Sequence, residues 1–331
     1  MPIRVMHMGL GPIGCAIARQ VAERKRFVPV AAVDIDPAKQ GLDLGAVAGL
    51  DRKLRVKVTD DPRRAIRKSR PDVVVLCTSS SLAKVMPQIE ALLKARVPIV
   101  STTEELSYPV GANRRLAKKI DAAARKAKVA IAGTGVNPGF TMDALPIMLT
   151  AVAERVDRVR VHRVQDASIR RLPFQQKIGA GLTRAAFMKR VEEGTVRHVG
   201  LAESITMIAD ALGWKLGRIT DEIKPRMADA RVSSEFITVE PGQVAGIIQD
   251  GVGYRKGEPV ITLHMEAYLG APESYDAVWI DGSPTLHSRV EGGVHGDVAT
   301  ASMTVNTIPK ILDAPPGLRT MRDLALPSFA G

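Results

Sequence analysis

Short runs of apolar and β-branched residues alternate with amphipathic segments from the start of the chain to the stretch GTGVNPGF at 133–140. The runs have the length of strands and are Ile3–Met8, Val28–Val33, Arg55–Val58, Asp72–Cys77, Pro98–Ser101 and Ala130–Ala132. The segments between them place apolar residues at helical spacing and lie at 12–25, 62–68, 82–95 and 111–127. Alternation of this kind predicts a parallel sheet with helices on both faces.

The pattern changes after residue 140. Apolar and polar positions alternate in the stretches 156–166, 231–240, 244–248, 259–268 and 275–281. Helical spacing interrupts this alternation at 141–153, 180–193 and 200–212, and a last helix is predicted from HGDVATASMTVNTIP, at 295–309. Strands that alternate in this way are typical of a mostly antiparallel sheet with one covered face.

Three glycines follow the first predicted strand in the sequence MGLGPIGCAIA. Gly9 permits a tight turn, Gly11 lets a pyrophosphate approach the backbone, and Gly14 lets the following helix pack closely on the strand. A glycine motif alone is weak evidence. Here it follows a strand, opens a helix and precedes an acidic residue about 20 positions on, so it predicts a dinucleotide site.

The predicted cofactor is NAD or NADP. Pro12 and Ile13 begin the helix, whose N-terminus offers N–H groups and a positive dipole end to phosphates. Asp34 ends the second strand, where a carboxylate accepts hydrogen bonds from ribose hydroxyls and repels a 2′-phosphate. Asp34 therefore favours NAD, although Lys39 or Arg52 could host that phosphate.

These patterns together predict an α/β Rossmann dinucleotide-binding domain followed by an α+β substrate domain with a mostly antiparallel sheet. We expect the first domain to span 1–137, with residues 300–331 packing back on it. The second domain, for substrate binding and dimerisation, is expected at 138–299.

Composition and charge narrow the classes of function. The net charge is +12, but the basic residues are spread along helical faces among acids, and aromatic residues make up only 4%. We therefore expect no nucleic-acid partner. The two cysteines, Cys15 and Cys77, lie in apolar runs, which indicates a reducing compartment. No apolar run reaches 18 residues and no signal-peptide pattern is present, so we expect a cytoplasmic protein without a membrane span.

Five ordered motifs resemble those of the 2,4-diaminopentanoate dehydrogenase family, which is related to dihydrodipicolinate reductase and includes the native amine dehydrogenases. They are STTEELSYP (101–109), GTGVNPGF (133–140), DASIRRLPFQQKIGAG (166–181), EAYLGAPESYDAVWIDG (266–282) and HGDVATASMTVNTIP (295–309). The resemblance runs nearly end to end.

The resemblance implies an enzyme, an NAD(P)-dependent amine dehydrogenase that acts on CH–NH2 donors. Its reaction is a reversible oxidative deamination of a small amine or diamino acid. In the type reaction 2,4-diaminopentanoate becomes 2-amino-4-oxopentanoate and releases ammonia. A homodimer is expected from the family and from the open antiparallel sheet, whose face or edge requires a partner.

Two alternatives stay open. The chain could reduce a cyclic imine, as dihydrodipicolinate reductase does, but RVHRVQDASIRRLPFQQKIGAG lacks the paired histidines of that family. It could also be a nucleotide-binding redox sensor whose basic surface meets nucleic acid. No pair of DNA-reading helices supports the sensor.

Deamination needs a base that keeps the amine neutral and then activates water, and a buried carboxylate can do both. Glu104, which follows the fifth predicted strand, is our candidate, and the family motif supports it. Glu105 is the less favoured neighbour. The alternative is that these acids only begin a helix, where carboxylates are favourable.

Further cofactor contacts are predicted at strand ends and on the last helix. Thr78, Ser79 and Ser80 form a polar loop after a central strand, where ligands meet parallel sheets. Asn137 is expected beside the nicotinamide carboxamide, although a plain Asn-Pro-Gly turn explains the same residues. Asn306 is expected to face the cofactor from the last helix.

Substrate contacts are predicted in the second domain. A carboxylate-bearing substrate needs cationic side chains, and Arg170, Arg171, Gln175 and Lys177 are the candidates. If Arg170 and Arg171 lie on one strand, only one of them can face inward. His264, on a strand-like run, is a pocket candidate, although such a histidine is often only hydrogen-bonded within its sheet. No cluster has metal-ligand spacing, so no metal is expected.

Overall fold

The structure, a computed structural model, describes residues 1–111 and 113–331 of the chain. Residue 112, part of the predicted helix 111–127, lies outside the described residues. The described residues form two compact units, and the chain returns to the first unit after completing the second. The units are Met1–Phe140 with His295–Gly331, and Thr141–Val294.

The strands are, in chain order, β1 (Ile3–Met8), β2 (Phe27–Val33), β3 (Val58–Thr59), β4 (Val73–Leu76), β5 (Ile99–Ser101), β6 (Ala130–Gly133), β7 (Arg155–Asp166), β8 (Arg218–Met227), β9 (Val232–Ser233), β10 (Thr238–Val239), β11 (Val244–Arg255), β12 (Glu258–Tyr268), β13 (Tyr275–Ser283), β14 (Leu286–Glu291) and β15 (Gly317–Arg319). The helices are, in chain order, α1 (Pro12–Glu23), α2 (Leu44–Val47), α3 (Pro62–Ser69), α4 (Leu82–Lys94), α5 (Glu104–Ser107), α6 (Asn113–Ala127), α7 (Ala144–Leu149), α8 (Leu172–Lys177), α9 (Arg184–Glu192), α10 (Leu201–Ala211) and α11 (Gly296–Leu312). Within the described part of the chain, no helix has both the length and the apolarity needed to cross a membrane.

The first unit is built on a seven-stranded sheet with the order β15-β6-β5-β4-β1-β2-β3. Neighbouring strands are parallel throughout, which confirms the predicted parallel sheet. Every residue of the central strand β4 is buried, as expected of a sheet covered on both faces. The carboxyl ends of all these strands therefore meet at one edge, where parallel sheets bind ligands.

The predicted strands of this unit occur within one residue of their expected ends, except β3. The prediction of a strand at 55–58 was wrong over most of its length. Arg55 has a φ of 59°, a left-handed conformation that a strand does not accommodate. Lys57 makes only an isolated antiparallel bridge with Asp43, so pairing with β2 begins at Val58.

The second unit is built on a six-stranded sheet with the order β14-β13-β7-β12-β11-β8. Its neighbouring strands are antiparallel except β7 and β12, which are parallel, so the mostly antiparallel sheet is confirmed. One face is apolar and packs under α10: Val159 and Leu263 are fully buried in one cluster with Ile205 and Ile208. Burial of each such side chain contributes about 1.5–3 kcal/mol to stability.

Two strands of this sheet were not predicted, and one predicted strand was wrong. β8 and β14 lie at the two edges and neither contains a fully buried residue, so their sequences lack clear alternation. The stretch 231–240 contains only the short antiparallel pair β9 and β10. Ser234 Oγ accepts hydrogen bonds from the N–H groups of Phe236 and Ile237. These bonds close the turn that joins β9 to β10.

A buried ion pair joins the two chain ends of the second unit. Arg163 of β7 is 3% exposed and its guanidinium donates to Asp276 Oδ1 at 2.6 Å, Thr141 Oγ1 at 3.2 Å and the Val294 carbonyl at 2.8 Å. Asp276 Oδ2 accepts the N–H of Val294 at 2.8 Å. Thr141 and Val294 are the first and last residues of this unit. Breaking such a pair on one side typically costs about 3–5 kcal/mol.

The other face of the six-stranded sheet carries most of the amphipathic aromatic residues of the chain. The chain has two tryptophans and four tyrosines, and this face has one tryptophan and three tyrosines. We name it the aromatic face after Tyr254, Tyr268, Tyr275 and Trp279. A guanidinium lies over each of these rings, 4.0–5.8 Å from its centre, contributed respectively by Arg218, Arg226, Arg289 and Arg160.

Candidate functional site

The turn between β1 and α1 leaves no room for side chains at two of its three glycines. A Cβ on Gly9, whose φ is +90°, would lie 2.5 Å from the carbonyl oxygen of Cys77. A Cβ on Gly14 would lie 2.0 Å from the carbonyl oxygen of Gly9. A Cβ on Gly11 would have no neighbour within 4 Å among the described residues, so this glycine faces open space. Gly9 and Gly14 thus have the tight turn and the close helix packing expected of them, and the approach of a ligand at Gly11 stays a prediction.

The N-terminus of α1 points its first-turn N–H groups toward this turn. Gly11 is the N-cap and provides no side chain to accept them, and Pro12 occupies the first helical position. The N–H of Cys15 already donates to the Gly11 carbonyl at 2.9 Å. The N–H groups of Ile13 and Gly14 lie in the first turn, where the helix itself offers no carbonyl to accept them. They are therefore suited to bind an anion such as a pyrophosphate.

Asp34 follows β2 and is held against the same turn. Its carboxylate accepts the N–H of Leu10 at 2.6 Å and the N–H of Asp36 at 2.9 Å. The ammonium of Lys39 lies 3.5 Å from Asp34 Oδ2. A ribose bound at this sheet edge would find Asp34 in a fixed orientation, with acceptor capacity left on its oxygens.

The loop after β4 is fastened to the loop after β5. Thr78 Oγ1 donates to a side chain of α4 at 2.6 Å. The carbonyl of Ser79 accepts the Thr103 hydroxyl at 2.8 Å, and the carbonyl of Ser80 accepts the N–H of Glu105 at 3.3 Å. These bonds fix the predicted cofactor loop at the carboxyl edge of the sheet.

Glu104 and Glu105 have different surroundings. Glu105 Oε2 accepts the N–H of Leu82 at 2.7 Å and so caps α4, which gives it a structural role. Glu104 is the first residue of α5 and is half-buried, with its Oε2 shielded from solvent. α5 lies directly on β6, because a Cβ on Gly133 would come within 2.7 Å of the Leu106 backbone. This packing holds Glu104 at the same edge as the glycine turn.

Asn137 follows β6 and is 7% exposed. The N–H of its neighbour Val136 donates to Thr300 Oγ1 of α11 at 3.3 Å. Gly139 has a φ of +128°, and a Cβ there would lie 2.4 Å from the backbone nitrogen of Gly135. This compact turn places Asn137 at the carboxyl edge of the sheet, where the prediction needs it.

Asn306, on α11, lies beside the C-terminal end of α1, whereas the role predicted from the sequence requires the N-terminal end. Its Oδ1 accepts hydrogen bonds from Arg24 at 2.7 Å and from the N–H of Ala330 at 3.1 Å. Arg24 is the C-cap of α1, so Asn306 is about a helix length, roughly 18 Å, from the N-terminal turn at Gly11. Its contacts tie down the C-terminal segment, and we withdraw it from the cofactor site.

Gln175 also has a structural role rather than the predicted substrate contact. It is fully buried in α8, and its Nε2 donates to the carbonyls of Ala167 at 3.0 Å and Arg170 at 2.8 Å. Its Oε1 accepts the Ser234 hydroxyl at 2.7 Å. Both ends of the amide are therefore used to hold the turn that precedes α8.

Arg170 and Arg171 lie in that turn and not on a strand, so the restriction that only one of them can face inward on a strand does not apply. Arg170 is 6% exposed, and its guanidinium stacks on Phe174 with 4.1 Å to the ring centre. Arg171 is the half-buried N-cap of α8, and Lys177 is half-buried in its last turn. The turn thus brings three basic side chains to the two ends of one short helix.

His198 is a half-buried residue, with its Nε2 shielded from solvent, that the sequence did not single out. Its backbone N–H and carbonyl both bond the side-chain amide of Gln249, at 2.9 and 3.0 Å. Burial of its ring, and then nearby cations, together lower the pKa of His198 to about 3. In order of effect these are Lys177, Arg163, Arg170 and Arg197. A neutral imidazole among these cations marks a region of positive potential inside the second unit.

His264 lies on the aromatic face, away from that region of the sheet. Its Nδ1 bonds Asp250 at 2.7 Å and its Nε2 bonds Glu266 at 2.9 Å. Burial opposes the charged form, but these two carboxylates outweigh it and raise the pKa of His264. Both ring nitrogens are used within the sheet, so we withdraw His264 from the substrate site. Nowhere in the described ranges do three or more metal-binding side chains gather in a possible site.

Comparisons with known proteins agree over the whole chain. Residues 140–330 match the model of the 2,4-diaminopentanoate dehydrogenase C-terminal domain. The chain is 34% identical to the 2,4-diaminopentanoate dehydrogenase of Acetoanaerobium sticklandii, over 98% of this chain and 94% of that one.

Solved structures show the same fold. The amine dehydrogenase from Mycobacterium smegmatis superimposes with a TM-score of 0.88 at 25% identity, covering 100% of this chain and 98% of that one. A dihydrodipicolinate reductase from a Paenisporosarcina species has a TM-score of 0.54 at 15% identity, covering 97% and 99%, which shows a shared fold alone.

The glycine turn gives a test that separates folding from binding. Gly14→Ala should destabilise the protein by about 1–3 kcal/mol, because the new Cβ overlaps the Gly9 carbonyl. Gly11→Ala should lower the free energy of unfolding by no more than about 1 kcal/mol, from the poorer fit of alanine at an N-cap, because its backbone is extended and its Cβ meets open space. Its Kd for NADH should nevertheless rise about tenfold or more, since the methyl group blocks the pyrophosphate. Urea unfolding and NADH fluorescence titration measure the two effects, and unaltered NADH binding by Gly11→Ala would refute the assignment.

Proposed function

The chain belongs to the 2,4-diaminopentanoate dehydrogenase family, and on that premise we propose that it catalyses reversible, nicotinamide-dependent oxidative deamination of a small amine or diamino acid. The substrate we propose first is 2,4-diaminopentanoate, which would yield 2-amino-4-oxopentanoate and ammonia. The observation that carries the proposal is the half-buried carboxylate of Glu104, at the same sheet edge as the glycine turn.

The residues of the first unit fit a dinucleotide, because Gly11 leaves an open approach that a Cβ would fill. A bound nicotinamide dinucleotide would accept the hydride from the amine carbon. Gly11, Ile13 and Gly14 would bind its pyrophosphate, and Asp34 its adenosine ribose, which favours NAD. The loop Thr78–Ser80 and Asn137 would complete the contacts at the carboxyl edge.

Glu104 would serve as the base in both halves of the reaction. Its carboxylate first accepts a proton from the substrate ammonium, so that the nitrogen lone pair can assist loss of the hydride. It passes that proton to solvent and then accepts one from the water that attacks the imine carbon. Collapse of the resulting carbinolamine gives the ketone and ammonia.

The two adjacent acids provide a matched test of this role. Glu104→Gln should lower kcat about 100-fold or more, because the amide cannot accept the proton. Glu105→Gln should retain kcat within a few-fold, since its amide oxygen can still accept the Leu82 N–H at the start of α4. The measurement is absorbance at 340 nm, with NADH titration to verify cofactor binding. Full turnover by a folded Glu104→Gln protein would show that the base is elsewhere.

We propose that the substrate carboxylate binds in the second unit, at the basic residues around α8. Arg170, Arg171 and Lys177 flank this helix, and Lys177 and Arg170 contribute to the positive potential at His198. An anion in this region would be stabilised by that potential, and arginine adds bidentate geometry. A substrate with a carboxylate is therefore preferred over a simple alkyl amine.

The substrate preference of the protein tests this carboxylate-binding site, which we call the clamp. With ammonia and reduced cofactor, the protein should turn over 2-amino-4-oxopentanoate more efficiently than 2-pentanone. Lys177→Met should raise KM for the carboxylate-bearing ketone about tenfold or more and leave 2-pentanone unchanged, because only the first loses a charged contact. Lys189→Met, at an exposed position, is the control. Equal use of both ketones by the unmodified protein would exclude the clamp. If the protein binds NADH but turns over none of the amines and ketones, reduction of a cyclic imine would be the favoured activity.

We propose further that the protein is a homodimer joined through the aromatic face. Six strands spaced about 4.8 Å apart, each about 10 residues long, give a face on the order of 800 Å2, which is what one partner buries in a stable interface. Tryptophan, tyrosine and arginine are the residues enriched at such interfaces.

Light scattering during size-exclusion chromatography tests the dimer. The protein should elute with twice the mass of one chain, and Trp279→Ala should raise the dimer Kd about tenfold or more. Phe236→Ala, at an exposed aromatic residue outside this face, should not change it. A monomer at micromolar concentration would contradict the proposal.

A further inference from the structure

A lysine beside Asp34 bears on the choice between NAD and NADP. Asp36 accepts the N–H of Ala38 at 3.0 Å and so begins the 3₁₀ turn Pro37–Lys39. This turn folds the Lys39 side chain back along the loop. Its ammonium lies 3.2 Å from Asp36 Oδ2 and 3.5 Å from Asp34 Oδ2, with 26% of the side chain exposed.

The negative charge of Asp34 is therefore already compensated. Two backbone N–H groups, from Leu10 and Asp36, and the ammonium of Lys39 all approach its carboxylate. Burial disfavours the charged form of Lys39, but Asp36 and Asp34 outweigh this and raise its pKa, so it remains an ammonium at neutral pH. A 2′-phosphate placed here would meet a neutralised ion pair rather than a bare carboxylate.

Arg52, the other basic residue considered for this role, lies elsewhere. Its guanidinium donates to the carbonyl of Ala22, in the last turn of α1. Ala22 is ten residues beyond Pro12, about 15 Å along the helix. Asp34 contacts the N–H of Leu10, at the opposite end of α1. Lys39 is thus the one of these two cations placed to meet a phosphate on the adenosine ribose.

We propose that Lys39 is a specificity-determining residue that lets one site accept both NAD and NADP. With NAD, Asp34 accepts the ribose hydroxyls while Lys39 stays paired with Asp36. With NADP, the Lys39 ammonium turns to the 2′-phosphate, and Asp34 keeps its two backbone donors. A long, flexible lysine suits this exchange because it acts as a movable point charge. The inference rests on the proposed dinucleotide site.

The test is cofactor binding in the absence of any amine. Purified protein is titrated with NADH and with NADPH, and the change in nicotinamide fluorescence gives each Kd. We expect the two constants to lie within about tenfold of each other. Lys39→Ala should raise the Kd for NADPH about tenfold or more, with NADH changed less than about threefold, because only the phosphate loses a charged partner. Lys39→Arg should restore NADPH binding, and Arg52→Ala should leave the ratio unchanged.

Three results would overturn the inference: unchanged NADPH affinity in Lys39→Ala, no NADPH binding by the unmodified protein that binds NADH, or a loss of both cofactors together in Lys39→Ala. These results are independent of the amine reaction. A protein that shows the expected ratios but turns over no amine would refute the proposed deamination and support the role of Lys39.

Discussion

Where β1 turns into α1, Gly14 lies so close to the carbonyl oxygen of Gly9 that no Cβ fits between them. This backbone contact sets the direction of α1 and hence of its first N–H groups. It also presents the N–H of Leu10 to Asp34, so the anion-binding end of the helix and the acid after β2 are fixed by one turn. The site in the first unit therefore depends largely on main-chain geometry. The glycines of the turn cannot be replaced by larger residues without disturbing that geometry.

The position of Glu104 depends on the packing of its neighbours. Glu105 is committed to the start of α4, and Gly133 lets α5 rest on β6. Two identical side chains in sequence are thus separated by packing into a capping residue and a candidate base. The hydrogen bond between Thr103 and the Ser79 carbonyl joins the loop of Glu104 to the predicted cofactor loop, so that neither can move independently.

The parallel sheet, the glycine turn and the role of Asp34 could be predicted because each depends on residues close in sequence or on strand ends that must share an edge. The second unit was harder to predict, because its contacts are long-range. In β7, Arg163 falls on the same alternating positions as the buried Val159, which indicates that it is buried and needs a partner. Only the fold identifies that partner as Asp276. Gln175, in the same way, looked like a ligand-binding amide because its acceptors come from a turn that the sequence did not reveal.

The placement of Trp279 has a practical consequence for spectroscopy. The chain has two tryptophans, and Trp214 is buried in the apolar core of the second unit. Trp279 is half-buried on the aromatic face, where its ring stacks on His287 with 4.8 Å between centres and 9° between planes. Indole emission responds to the polarity of its surroundings and to an imidazole in contact. The intrinsic fluorescence of the protein therefore has one component from the apolar core and one that reports on whatever covers this sheet, without an added label.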